Sequence, residues 1–337
     1  MRWRSRLLLV VSSTAVLGLA SSAAFAWGPD GHRMIGELAV KSLPADLPAF
    51  LRTRKAAAEI GYLAPEADRE RGAGRIQDAE HDAGHFVDIS DDLTILGGPS
   101  IASLPETREQ YDTAMRAVDS TQYKAGFLPY AIAGGFQLLA KDFAHWRVDI
   151  AGAKLAKTKV ERTWYARDRV EREKIVLHDL GTWAHFVGDG SMPMHASVHY
   201  NGWGNFPNPE GFTDAKVHVP WENAYVHDTI TKADVAADMS AYRDCSCAIE
   251  ARTSAYLIAT QSEVVPFYRL EKAGAFAKPT ADGKTFTAQQ LARGANELRD
   301  MIVDAWRASE NGTVGYPAKK VSDIEAGKVD PYEDLSY

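Results

Sequence analysis

Residues Ile175 to His195, IVLHDLGTWAHFVGDGSMPMH, carry the pattern that decides the fold class. Ile175, Leu177, Leu180, Trp183, Phe186 and Val187 recur at helical spacing, and His178, Thr182, His185 and Asp189 step by four, three and four along one helix face. The helix is expected to end near Gly190; Pro193 then turns the chain, and His195 can fold back toward the same point. An imidazole and a carboxylate one turn apart, with a third donor just past the helix end, is how a helical protein grips a divalent metal. The same spacing also suits an ordinary buried histidine beside a capped helix end. Other parts of the chain must therefore supply the missing ligands.

Working outward, helical patterns dominate. They run from Gly31 through Leu38, from about Leu47 to Tyr62, over Pro105–Val118 and over Phe127–Ala156, with Gly134-Gly135 as a place to bend. Further helices are expected at Val235–Tyr242, Ala248–Tyr268 and Ala288–Ser309. Residues 89–104 carry turn residues and short β-prone runs and read as a loop or small hairpin. The fold class is all-α: a single multi-helix domain over 27–310, followed by a polar tail over 311–337.

Composition narrows the setting. A quarter of the residues are charged and 45% are hydrophobic, which describes a soluble globular chain. Arg2, Arg4 and Arg6, the apolar run Leu7–Leu19 and Ala24-Phe25-Ala26 form a secretory signal peptide, so the mature protein is expected to start at Trp27 and be secreted or periplasmic. Its loss moves the formal charge from −7 to about −10. Such an acidic chain has no broad phosphate-tracking surface, so a nucleic-acid substrate would be held by metal and a few local contacts. Cys245 and Cys247 sit too close in sequence for an unstrained bridge and read as a local staple or a free pair.

Candidate donors are scattered along this framework. Cleavage before Trp27 would free an α-amine that, with its own carbonyl, can chelate a metal, and His32 follows closely. Asp68 and Arg71 lie one turn apart, suiting a metal-bridging carboxylate beside a phosphate-facing guanidinium. Spacing alone does not choose between His81, among acidic residues, and His85, before an apolar pair. His145, among Phe143, Trp146 and Ile150, reads as a core histidine. His218 and Glu222 repeat the spacing of His185 and Asp189. The aromatics Tyr200, Trp203 and Phe206 of the intervening loop could line a binding mouth or pin the loop down. Six or more nitrogen and oxygen donors exceed what one tetrahedral zinc needs, and three carboxylates allow bridging, so a cluster of two or three metals suited to phosphate ester hydrolysis is expected.

Together, Trp27-Gly28-Pro29-Asp30-Gly31-His32, Ala67-Asp68-Arg69-Glu70-Arg71, His85-Phe86-Val87-Asp88, the His185–His195 segment and His218-Val219-Pro220-Trp221-Glu222-Asn223 resemble the zinc-dependent phospholipase C/nuclease superfamily, and within it the S-one/P-one-type single-strand nucleases. The resemblance spans most of the mature chain. It implies three Zn2+ ions: one held by Asp68, His85, His185 and Asp189, a second by Trp27, His32, Asp68 and Asp189, a third by His195, His218 and Glu222. It selects Asp68 over Asp78 as the bridging carboxylate, gives Arg71 the phosphate, and places Asn223 near a nucleobase. Glu222 stands where the nucleases have Asp and is more like the phospholipases C; Ser191-Met192 replace a His-Gln pair; and the long interval from His85 to His185 implies an insertion within 89–165.

The expected activity is hydrolysis of single-stranded DNA or RNA, and of 3′-nucleotides, to 5′-phosphate products by a metal-activated hydroxide, in a monomer with no stable protein partner. Cleavage of phospholipid headgroups at the same metals is the alternative, with the aromatic loop meeting a lipid surface. A non-catalytic periplasmic zinc-binding protein is the third reading, and it has no use for Arg71 or Asn223.

Overall fold

The computed structural model describes residues 27–336; the expected signal peptide, 1–26, lies outside them. Helix α1 (Pro29–Lys41) opens with Pro29 in its first turn, where a missing N–H goes unnoticed. Helix α2 (Arg54–Leu63) begins later than its apolar pattern, because Thr53 caps it and accepts a 3.0 Å hydrogen bond from the Ala56 N–H. Short α3 (Glu66–Arg69) and α4 (Arg75–His81) follow. The expected small hairpin over 89–104 is two isolated antiparallel bridges, Ile89 with Ile95 and Thr94 with Ser100. Helices α5 (Arg108–Arg116) and α6 (Gln122–Ala125) then lead into the longest pair, α7 (Leu128–Leu155) and α8 (Lys159–Asp189).

Helix α8 is started by a capping box. The Thr158 hydroxyl accepts from the Glu161 N–H, and the Glu161 carboxylate accepts from the Thr158 N–H. The short connection makes α7 and α8 an antiparallel hairpin, locked by two glycine sockets. A Cβ at Gly135 would lie 2.0 Å from the Trp183 ring, and one at Gly152 would lie 2.3 Å from the Tyr165 ring. Trp183 also donates its indole N–H to the Ile132 carbonyl at 2.9 Å. Gly134-Gly135 therefore does not break α7, which continues as one helix; Gly135 supplies space for an aromatic ring.

The second half contributes α9 (Val226–Thr229), α10 (Lys232–Ala237), α11 (Ile249–Gln261), α12 (Val264–Lys272) and α13 (Ala281–Ala308). The helix expected to reach Tyr242 stops at Ala237, and the following strand-like stretch is tied to α13. Arg299 donates to the Ser240 and Ala241 carbonyls, and Asp300 accepts from the Arg243 N–H. The helix expected over Ala248–Tyr268 is broken between α11 and α12, and α13 starts earlier than expected because Thr280 caps it. Cys245 and Cys247 are disulfide-bonded. Helices α1, α2, α7, α8 and α13 share one apolar core. Nothing among the described residues is long and apolar enough as a helix to cross a membrane.

Residues 311–337, read from sequence as a polar tail, are folded as far as they are described. Strand β1 (Thr313–Val314) pairs antiparallel with β2 (Lys319–Lys320), and α14 (Val321–Glu325) and α15 (Tyr332–Leu335) follow. Val314, Val321 and Ile324 pack on Ala144, Val148 and Ala151 of α7 in a small second core. Helix α7, inside the stretch read as containing an insertion, is thus part of the main scaffold.

Two predictions follow from the α7–α8 contact. Gly135→Ala should destabilise the protein by about 2–3 kcal/mol in chemical denaturation, since the Trp183 ring occupies the space. Asp149, on α7, is buried against Asp168, Arg169 and Arg172 of α8; burial first, then the Asp168 charge, pushes its pKa up to about 8. Its folded pKa exceeds the unfolded one, so its stabilising contribution is present at acid pH and lost as pH rises from about 4 through 8. Asp149→Asn should match wild type near pH 3 and gain on it progressively as pH rises from about 4 to 8, by more than about 1 kcal/mol in all.

Candidate metal centre

His32 reaches the centre from α1, Asp68 from α3, and His85 from the 3₁₀ turn Asp82–His85. His185 and Asp189 come from the last turns of α8, and His195 from the 3₁₀ turn Pro193–His195. His218 and Glu222 flank the start of a π-helical turn, Pro220–Tyr225, whose wide winding still brings them together, Nε2 to Oε2 at 2.9 Å. All of these histidines, with Asp189 and Glu222, are buried.

The donors form three groups, His32–His185–Asp189, Asp68–His85–His185 and His195–His218–Glu222, each with its ligand atoms within 4.8 Å of one another. Asp189 divides its carboxylate between the first two. Oδ1 lies 3.3 Å from His32 Nε2, while Oδ2 lies 3.1 Å from His85 Nδ1 and 3.4 Å from His185 Nε2. Asp68 Oδ1 is 3.7 Å from His185 Nε2 and 3.9 Å from His85 Nδ1. In the third group, His195 Nε2 and His218 Nε2 are 3.1 Å apart. Ligands about 2.0–2.1 Å from a tetrahedral ion lie about 3.3 Å from each other, so these separations suit donors arranged around shared cations.

Hydrogen bonding orients the rings for that purpose. His185 Nδ1 faces the Ala64 carbonyl at 2.8 Å; a carbonyl only accepts, so Nδ1 carries the proton and Nε2 presents a lone pair inward. His195 Nδ1 likewise donates to the His85 carbonyl, leaving Nε2 to face His218. Further in, His32 Nδ1 and Nε2, His85 Nε2, Asp68 Oδ1 and Asp189 Oδ1 make no hydrogen bond although buried. Unpaired polar atoms at such density are costly unless a cation collects them.

Electrostatics point the same way. Burial lowers every imidazole of the set, His185 to about 3 and His218 to about 4, so all are neutral and able to ligate. Burial raises Asp68 to about 6 and, reinforced by Asp68, lifts Asp189 far above the carboxylate range. Neutral imidazoles beside carboxyls that resist ionising make a site short of positive charge, the deficit that a divalent ion fills. These buried groups could hold metal ions.

Close backbone approach makes the arrangement possible. A Cβ at Gly188 would lie 2.8 Å from His32 Nδ1, so the residue between His185 and Asp189 must be small for α1 to deliver its ring. Trp27 is fully buried beside Trp221, with ring centroids 4.9 Å apart, and donates its indole N–H to Ser191 Oγ at 2.8 Å. Ser191 thereby anchors the expected mature first residue, and donates its own O–H to the Gly188 carbonyl at 2.8 Å.

A cleft of about 660 Å³ opens onto His85, His195 and His218. Arg71 stands in its wall, with Nε 3.3 Å from Asp68 Oδ1. Asp88 lines the cleft too, its carboxyl pushed up to about 7 by burial. In the sequence, its place three residues after His85 is the signal for it. Tyr200 also lines the cleft, whereas Trp203 is buried and stacked on His199 at 3.8 Å, so the aromatic loop is both pinned and presented.

Other candidates fall elsewhere. Asn223 does not line the cleft: it lies against Gly28 in a separate depression and donates to Glu222 Oε1 at 3.3 Å, because the π-helical turn directs consecutive side chains apart. His178 is exposed and paired with Asp179, two turns before His185 and away from the cluster. His81 is exposed and bonded to the Gln77 carbonyl, so His85 is the buried partner of the two. Asp78 accepts from the Gly72 N–H in place of joining the donors. His145 is half-buried, and burial lowers it to about 4, in keeping with a packed histidine.

Because Asp189 turns its two oxygens to two donor groups and Glu222 belongs to one, their removal should differ in effect. Asp189→Ala should lose about two equivalents of divalent metal relative to wild type and Glu222→Ala about one, as read by elemental analysis of purified protein. No family model, curated protein or solved structure matches this chain.

Proposed function

We propose that this chain is an exported trinuclear zinc phosphodiesterase of the phospholipase C/nuclease type, acting on single-stranded nucleic acid and releasing 5′-phosphate products. The observation that carries the reading is the opening of two separate donor groups, through His85 and through His195 and His218, onto one cleft that also holds Arg71. A structural metal site needs neither a cleft nor a guanidinium beside it.

Zinc in these groups would draw charge from phosphoryl oxygens, acidify a water and stabilise the leaving oxyanion. Arg71, braced by Asp68, would bind a non-bridging phosphoryl oxygen and orient the diester for in-line attack. Asp88 supplies a buried carboxyl able to donate or accept a hydrogen bond near neutral pH, and Phe86 and Tyr200 offer apolar faces for a base. Asn223 has no part in this version of the site.

The exposure of Tyr200 and Phe206, 51% and 40%, favours a second reading, in which the same centre cleaves phospholipid headgroups at a membrane surface. Zinc-loaded mature protein should release nucleotides from single-stranded DNA and leave phosphatidylcholine vesicles intact; headgroup release without nucleotide release would favour the lipid reading. Arg71→Ala should lower kcat/KM on the DNA about a hundred-fold with zinc content unchanged. Full zinc occupancy with no hydrolysis of either substrate would leave a zinc-binding protein.

A further inference from the structure

Beyond Arg71, the cleft carries two cations that the metal chemistry does not use. Arg75 stands in the first turn of α4 and Lys124 in α6, both exposed and both lining the same cavity as His85 and His195. Neither side chain makes an ion pair or hydrogen bond among the described residues. In a chain of net charge −7, two uncommitted cations beside Arg71 in one cavity mark a place where negative charge is meant to come from outside. Of the acidic residues lining the cavity with them, Asp78 accepts from the Gly72 N–H, burial raises Asp82 from its ordinary value, and burial pushes Asp88 up to about 7.

Both positions are built. Gly72 and Gly74, in the short link between Arg71 and Arg75, have φ of +82° and +149°, a conformation that favours glycine. Lys124 arrives from the stretch read as an insertion, which backbone bonds fasten to the cleft floor. The Ala125 carbonyl accepts from Asp88, the Phe127 N–H donates to Ala83, and the Leu128 N–H donates to Phe86, at 2.8, 2.8 and 3.1 Å. Arg108 further clamps α6, donating to Gln122 at 2.7 Å while its guanidinium lies 4.0 Å from the Phe127 ring. Tyr123, next to Lys124, is partly exposed in the same wall.

We propose that Arg75 and Lys124 form a subsite for a phosphate flanking the scissile one, with Tyr123 as a stacking face, so that the enzyme prefers oligonucleotides to substrates with a single phosphate. This rests on the nucleic-acid reading above, and it assigns the insertion a role in substrate selection. The substrate class is a single-stranded polynucleotide with consecutive phosphodiesters; a phospholipid, with one phosphate, cannot fill both positions.

The test compares zinc-loaded wild type with Arg75→Gln, Lys124→Gln and the double variant. Steady-state kinetics use a single-phosphate dinucleotide and an oligothymidylate of about ten nucleotides. Binding is measured by fluorescence anisotropy with a labelled non-hydrolysable oligothymidylate. The double variant should lose about ten-fold in kcat/KM and in affinity on the oligonucleotide, and less than about two-fold on the dinucleotide. The slope of log affinity against log salt should fall by about 0.7 for each contact removed. Unchanged oligonucleotide binding, or equal losses on both substrates, would overturn the subsite. If wild type cleaves neither substrate, the catalytic reading falls, and the anisotropy comparison alone decides whether the subsite exists.

Discussion

Everything near the centre depends on burying imidazoles and carboxylates together without water to satisfy them. His32, His85, His185 and Asp189 are all inaccessible or nearly so, and several of their polar atoms have no hydrogen-bond partner. Desolvation keeps the rings neutral and opposes ionisation of the acids. A cation reverses that balance, because it prefers neutral imidazole nitrogen and stabilises the carboxylate form. The folded chain thus gathers buried groups that could hold such a charge.

Precision at the centre comes from the scaffold's rigidity. Helix α8 supplies His185 and the shared carboxylate of Asp189, and its position is set against α7 by rings seated on Gly135 and Gly152. Gly188 then lets α1 approach closely enough to place His32 on Asp189. At the other end of the site, the Val87 N–H donates to the His195 carbonyl, while His195 Nδ1 donates to the His85 carbonyl. Two donor-bearing loops are thereby joined through backbone as well as side chains, so a displacement of one moves both donor groups. The small second core under α14 braces the far half of α7.

Much of this was legible beforehand. The helical class and the end of α8 near Gly190 follow from short-range periodicity and turn residues, which local physics controls. The grouping of donors was accessible because His-x3-carboxylate pairs necessarily share a helix face. Helix boundaries were less accessible: Thr53 and Thr280 set real starts through side-chain caps, and Arg299 holds Ser240 and Ala241 out of a helix through contacts remote in sequence. The seat that Gly135 offers Trp183 was out of reach for the same reason, since a glycine that makes a kink and one that receives a tryptophan look identical along the chain.

By itself, the sequence determined which atoms are available: the histidines, carboxylates and arginine whose chemistry limits the site to nitrogen and oxygen donors. Spacing also settled that His185 with Asp189, and His218 with Glu222, act as pairs. The resemblance already implied His85 and a shared Asp189, which the fold places among the buried donors and across two groups; only the tertiary structure excluded Asn223 from the cleft and brought Asp88, Arg75 and Lys124 into it. The physical reason is range. Periodicity places a residue on a face of its own helix, but burial, desolvation and the meeting of lone pairs are set by segments that lie far apart in the chain and touch only once the core has closed.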